Sequence, residues 1–64
     1  MNYEEFKTRV AMYLQMHGKS QHTAKALVIW HDKMIYWAYR HAHSGRDVAA
    51  ALVKLPWENG NAVA

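Results

Sequence analysis

Residues 20–43 read SQHTAKALVIWHDKMIYWAYRHAH, and the periodicity of this stretch decides the fold. At about 100° per residue, Ala24, Leu27, Val28, His31, Met34, Ile35, Ala38, Tyr39 and Ala42 fall on one side, the apolar stripe of a helix that faces a core. Ser20 stands where an N-cap belongs, and neither Pro nor Gly interrupts the pattern before His43. One continuous helix of about 22 residues, ~33 Å long, is therefore predicted. The opposite side carries Ile29, Trp30, Lys33, Tyr36, Trp37, Arg40 and His41, more aromatic surface than a solvated face normally holds. That second stripe predicts a contact surface, covered by another helix of the chain, a second copy, another protein or a nucleic acid.

Toward the N-terminus, Asn2 with Glu5 three positions on marks the start of a first helix that runs to His17-Gly18. Tyr3, Phe6, Val10, Tyr13, Leu14 and His17 share one side of it and are expected to lie against the main stripe of the second helix. Met12 and Met16 lie off that side, either as incidental exposed residues or as part of an adaptable contact surface. Gly18 suits the left-handed residue that ends a helix, and Lys19-Ser20 then makes a short hairpin turn. Gly18-Lys19-Ser20 superficially resembles the end of a phosphate-binding loop. Tyr13 stands where that motif needs its first glycine, and no strand precedes it, so the string is a helix stop, turn and cap.

Toward the C-terminus, Ser44-Gly45-Arg46-Asp47 reads as a break followed by a capping box. Val48, Ala51, Leu52 and Leu55 recur at helical spacing before Pro56 ends the third helix. The expected architecture is a small all-α domain over residues 1–57, a long helical hairpin plus a short third helix, with a flexible tail over 58–64. The third helix is expected to cover the overhanging end of helix 2, and Trp57 is placed to fold back over the core. If both wrap the far side of helix 2, Trp37 and His41 become core residues; Trp30 lies beyond their reach.

Composition narrows the function classes. Sixty-four residues make one domain, whose expected stability of about 3–10 kcal/mol leaves room for a partner or a second copy to add a large fraction. The absence of cysteine excludes disulfides, thiol catalysis and Cys-based zinc sites, and fits a reducing cytoplasm. The opening Met1-Asn2-Tyr3-Glu4-Glu5-Phe6 lacks the basic and apolar regions of a signal peptide, and no apolar run approaches the ~20 residues that cross a bilayer. The expected protein is cytoplasmic, with no membrane partner. Eight Lys and Arg against five Asp and Glu give a net charge of +3, spread evenly along the chain rather than gathered in a basic arm.

No cofactor is expected, and the five histidines do not make a metal site. His22 and His41 lie ~28 Å apart on one continuous helix, and His41 and His43, two residues apart, do not face each other on it. His17 with His22, or His41 with His43, lacks the carboxylate or thiol that completes a tetrahedral shell. His31, on the main stripe, is expected to be a buried imidazole bonded to a group such as a tyrosine hydroxyl. Histidines facing a partner would make its binding depend on pH. No two carboxylates pair at three- or four-residue spacing within one helix, and Ser44 and Asp47 are used by the cap, so no enzyme is expected. The sequence thus predicts a non-enzymatic protein-binding module acting through Trp30, Lys33, Tyr36, Trp37, Arg40 and His41, with inhibitors and accessory factors of mobile elements as analogues of size. The alternative is a nucleic-acid-binding helical protein, with Lys25, Lys33 and Arg40 on phosphates and Trp30, Tyr36 or Trp37 stacked on bases. A third is a homodimer through the same stripe.

Overall fold

The computed structural model describes residues 1–54, in which the regular structure is helical throughout: α1 (Tyr3–Met16), α2 (Gln21–Trp30), α3 (Asp32–Arg40) and α4 (Gly45–Val53). Three of these helices begin at the expected caps. Asn2 Oδ1 accepts the Glu5 amide at 2.8 Å, Ser20 Oγ the Thr23 amide at 3.1 Å, and Ser44 Oγ the Asp47 amide at 3.1 Å. Each cap satisfies a donor that the helix leaves over and contributes about 1 kcal/mol.

Helix α1 is the centre of the fold. It packs along α2 on one side, as the short hairpin requires, and along α4 on another, with α3 meeting it near its start. The core gathers Phe6, Val10 and Leu14 from α1, Ala24, Leu27 and Val28 from α2, Ile35 and Ala38 from α3, and Val48, Ala49 and Leu52 from α4. The start of α4 lies beside the middle of α1: a Cβ at Gly45 would be in ordinary contact, 3.5 Å from the Val10 side chain and 3.6 Å from Arg9 Cβ. Because α4 lies mainly along α1, it leaves Tyr36 and Trp37 on the outer side of α3 exposed, which is the alternative to a third helix wrapped over that side. The expectations for Leu55, Pro56, Trp57 and the tail over 58–64 lie outside the described residues.

The largest departure from the sequence reading is that the long second helix is two helices. His31, at φ −107° and ψ 27°, is at once the C-cap of α2 and the residue before α3. Hydrogen bonds bridge the junction, from the His31 amide to the Leu27 carbonyl at 3.0 Å and from the Ile35 amide to the His31 carbonyl at 2.9 Å. Asp32 then opens α3, its carboxylate in the first turn where the helix dipole favours negative charge. The Tyr3 hydroxyl reaches over from α1, 2.6 Å from Asp32 Oδ1 and 3.0 Å from the Asp32 carbonyl oxygen. His31 is half-buried at this junction with its Nε2 shielded from solvent, and the Tyr3 and Tyr39 hydroxyls are given to Asp32 and to the Met1 carbonyl.

Helix α3 also stops three residues earlier than His43. Ala42 has φ 61°, the left-handed region that an L-residue enters at a cost of roughly 1–2 kcal/mol. The His43 amide reaches back to the Ala38 carbonyl at 2.9 Å and the Ala42 amide to Tyr39 at 3.3 Å, the double closure of a Schellman motif. The end of α1 is built the same way around Gly18 at φ 95°, as expected, with Lys19 bonded to Leu14 at 3.1 Å and Gly18 to Gln15 at 2.9 Å. These turns carry Ala42 and His17 out of their stripes, and both are exposed. Met34, at the edge of the main stripe, is 36% exposed.

Candidate functional site

Within α3 the two stripes separate except at Met34. Ile35 and Ala38 are buried and Tyr39 is half-buried on the inner side, while Lys33, Tyr36, Trp37 and Arg40 are exposed on the outer one. Tyr36 is 44% exposed and Trp37 54%. Lys33, Tyr36, Trp37, Arg40 and His41 line one open concavity of about 380 Å³ together with Asp32. The structure therefore brings five of the sequence-predicted contact residues together and adds an acid that the sequence reading did not choose. Trp30, 71% exposed, sits across the break on α2 and lines a neighbouring concavity with Ile29, Met34 and the shared Asp32 and Lys33.

The side chains of this face are held by contacts within α3 and its cap. Arg40 Nη1 donates to the Tyr36 hydroxyl oxygen at 3.2 Å, with the guanidinium 5.9 Å from the Tyr36 ring centroid. The His41 ring stacks on the Trp37 indole at 4.1 Å and 20°, and its Nδ1 lies 2.8 Å from the Trp37 carbonyl oxygen. A carbonyl oxygen only accepts, so that nitrogen carries the proton. His43 lies nearly parallel to the same indole at 5.4 Å and 24°. A continuous helix would keep His41 and His43 apart; the left-handed Ala42 turns the chain so that both meet Trp37.

An aromatic cluster ties this face to the core. Tyr3 meets Tyr36 edge-on at 5.0 Å and 88° and Tyr39 at 5.3 Å, and Tyr39 in turn meets Phe6 at 5.4 Å. Burial first, then the hydrogen bond to Asp32 and that residue's charge, push the Tyr3 phenol well above its ordinary value. Tyr3 thus keeps its proton and remains the donor that holds Asp32. Sequence reasoning placed Tyr3 in the core stripe and missed its positioning role. The signal available was the acid at position 32, a residue type that favours the first turn of a helix over its middle.

A second groove runs between α1 and α2, about 430 Å³ in volume, with Ala11, Met12, Val28 and Ile29 as its apolar part and Lys7 and Lys25 at its sides. Met12 lines this groove and is 47% exposed. Lys25 belongs to this groove, so the three cations of the nucleic-acid reading do not converge on one concavity. Lys7 pairs with Glu4 at 3.0 Å.

Among the described residues no group of three or more His, Asp or Glu side chains is placed to hold a metal ion, and no helix is long and apolar enough to cross a membrane. Compared with known proteins, the chain matches no family model, no curated protein and no solved structure, so the functional reading rests on the geometry of the α3 face.

Proposed function

We propose that this chain is a small non-enzymatic module that binds another protein through the outer face of α3, with Trp30 at its edge, and acts as an inhibitor or accessory factor by occupying its partner's surface. The observation that carries the reading is the exposure of Trp37 and Tyr36 in a concavity shared with Lys33 and Arg40. Trp, Tyr and Arg dominate the energetics of protein interfaces: Trp and Tyr remove a large area from water while losing little side-chain freedom, and Arg adds a fork of hydrogen-bond donors. Here that freedom is already restricted by the Arg40–Tyr36 hydrogen bond and the His41–Trp37 stack, which lowers the ordering cost of binding.

The nucleic-acid reading receives less support. Lys25 lies in the other groove, and bases stacked on Trp37 or Tyr36 would compete with His41 on one indole face and with the Tyr3 and Arg40 contacts of Tyr36. Two phosphate contacts, from Lys33 and Arg40, would give a salt slope of only about −1.8 in log K. The test compares quantitative retention of cellular proteins on immobilised wild-type chain and on a Trp30→Ala/Trp37→Ala variant of unchanged helicity. A discrete protein retained by the wild type and lost from the variant is expected. Equal retention on both, or retention of nucleic acid alone, would refute the reading.

A further inference from the structure

We infer that the occupant of the α3 face is an acidic amphipathic helix of a partner protein, with two carboxylates about two turns apart and apolar residues between them. This inference rests on the protein-binding reading and sharpens it. Lys33 and Arg40 are seven residues apart on α3, so they stand on the same side of the helix at ~10.5 Å spacing, with Tyr36 and Trp37 between them. A helix lying alongside repeats the same geometry: carboxylates at positions j and j+7 reach both cations at once, and residues at j+3 and j+4 meet the rings between.

Charge distinguishes this occupant from the others. The concavity holds Lys33 and Arg40 against the single carboxylate of Asp32, which already accepts the Tyr3 hydroxyl. Two copies of the face packed together would set cations against cations, and like charges brought together at an interface cost affinity. An apolar helix without acids would cover Lys33 and Arg40 and leave their charges uncompensated. Nucleic acid would satisfy the cations, but with Lys25 in the other groove only two of them converge here, and His41 already stacks on one face of the Trp37 indole. An acidic helix satisfies both cations and buries the ring edges.

The test is a selection from displayed helical 16-residue peptides randomised at positions j, j+3, j+4 and j+7, against the full-length immobilised chain. Enrichment of Asp or Glu at j and j+7 with Leu, Ile, Phe or Met between them is expected. A selected peptide should bind at least tenfold more weakly to Lys33→Glu or Arg40→Glu, and replacing its facing carboxylate by Lys should restore most of that loss. Binders without acid enrichment that still lose affinity to Trp37→Ala would overturn the acidic helix and leave the protein-binding reading standing. Binders indifferent to both Trp37→Ala and Lys33→Glu, or no binders, would overturn the inference. A fluorescein-labelled dT12 bound more tightly than any selected peptide, or a dimer in light scattering that Trp37→Ala dissociates, would also overturn it. Circular dichroism of each variant separates lost contacts from lost folding.

Discussion

Replacing Ala42 by Gly should stabilise the protein, although alanine is the better helix former. The perturbation tests the left-handed turn directly. In the structure Ala42 sits at φ 61° as the residue after the C-cap of α3, where an L side chain costs roughly 1–2 kcal/mol. Glycine removes that cost but adds freedom to the unfolded chain, which returns roughly 0.5–1 kcal/mol of the gain. The net expectation is a stabilisation of about 0.5–1 kcal/mol, or a rise of about 2–8 °C in melting temperature for a domain of this size. Had residue 42 been inside a helix that reached His43, as the periodicity predicts, the same change would cost about 1 kcal/mol. The two arrangements therefore differ in sign. Gly18→Ala is the reciprocal change at the end of α1: a Cβ there meets nothing within 4 Å, so its cost is conformational alone, and about 1 kcal/mol of destabilisation is expected. Thermal and urea unfolding followed by circular dichroism measure both, with an unchanged urea slope as the sign that only native stability moved. A destabilised Ala42→Gly beside a destabilised Gly18→Ala would refute the left-handed turn at Ala42.

Two further outcomes separate core, junction and face. Tyr3→Phe should cost about 1–2 kcal/mol through the lost bonds to Asp32 and should also reduce sensitivity to alkali. The sign follows from the raised phenol: its contribution is complete below the unfolded value of about 10 and is lost as pH rises through and beyond it, so wild type should weaken above about pH 10 more steeply than the variant in urea midpoints. Leu27→Ala, at a fully buried position, should cost about 2–4 kcal/mol, whereas Trp37→Ala should stay within about 1 kcal/mol; comparable losses from both in chemical denaturation would place Trp37 in the core.

The readable parts of this fold are those set by neighbours in sequence. Asn2, Ser20 and Ser44 each satisfy an amide three residues on, and at Gly18 the helix closes through the Gly18 amide on Gln15 and the Lys19 amide on Leu14. Such chemistry is local, and residue type nearly suffices to locate it. The junction at His31 is of another kind. The residues there carry no helix breaker, and the feature that distinguishes Asp32 is a hydroxyl delivered from Tyr3, 29 residues away in sequence. Ala42 hides its turn for the opposite reason: the best helix former occupies a left-handed position, so propensity points the wrong way. The candidate face was legible as a stripe because periodicity sorts residues by side. Its exposure was not, since that depends on whether α4 lies over α3 or along α1, which is a matter of tertiary packing.

The same contacts would connect stability to the proposed recognition in this small chain. Tyr3 links the two: its hydroxyl fixes Asp32 at the start of α3, and its ring abuts Tyr36, which in turn holds Arg40. Removing the hydroxyl therefore acts on the orientation of α3 as well as on folding, while Ala42→Gly acts on the far end of the helix beside Trp37, His41 and His43. A partner present at a hundredfold its dissociation constant adds about 2.7 kcal/mol to native stability, a large share of the roughly 3–10 kcal/mol available to a chain this size. If α3 is the docking element, that increment measured with a selected acidic peptide should survive Gly18→Ala, whose strain lies at the other end of α1. It should shrink in Tyr3→Phe, where the Asp32 anchor is lost but the Tyr3–Tyr36 ring contact remains. Equal increments in the two variants would mean that the face is organised by α3 alone, and that the bond across to α1 serves folding only.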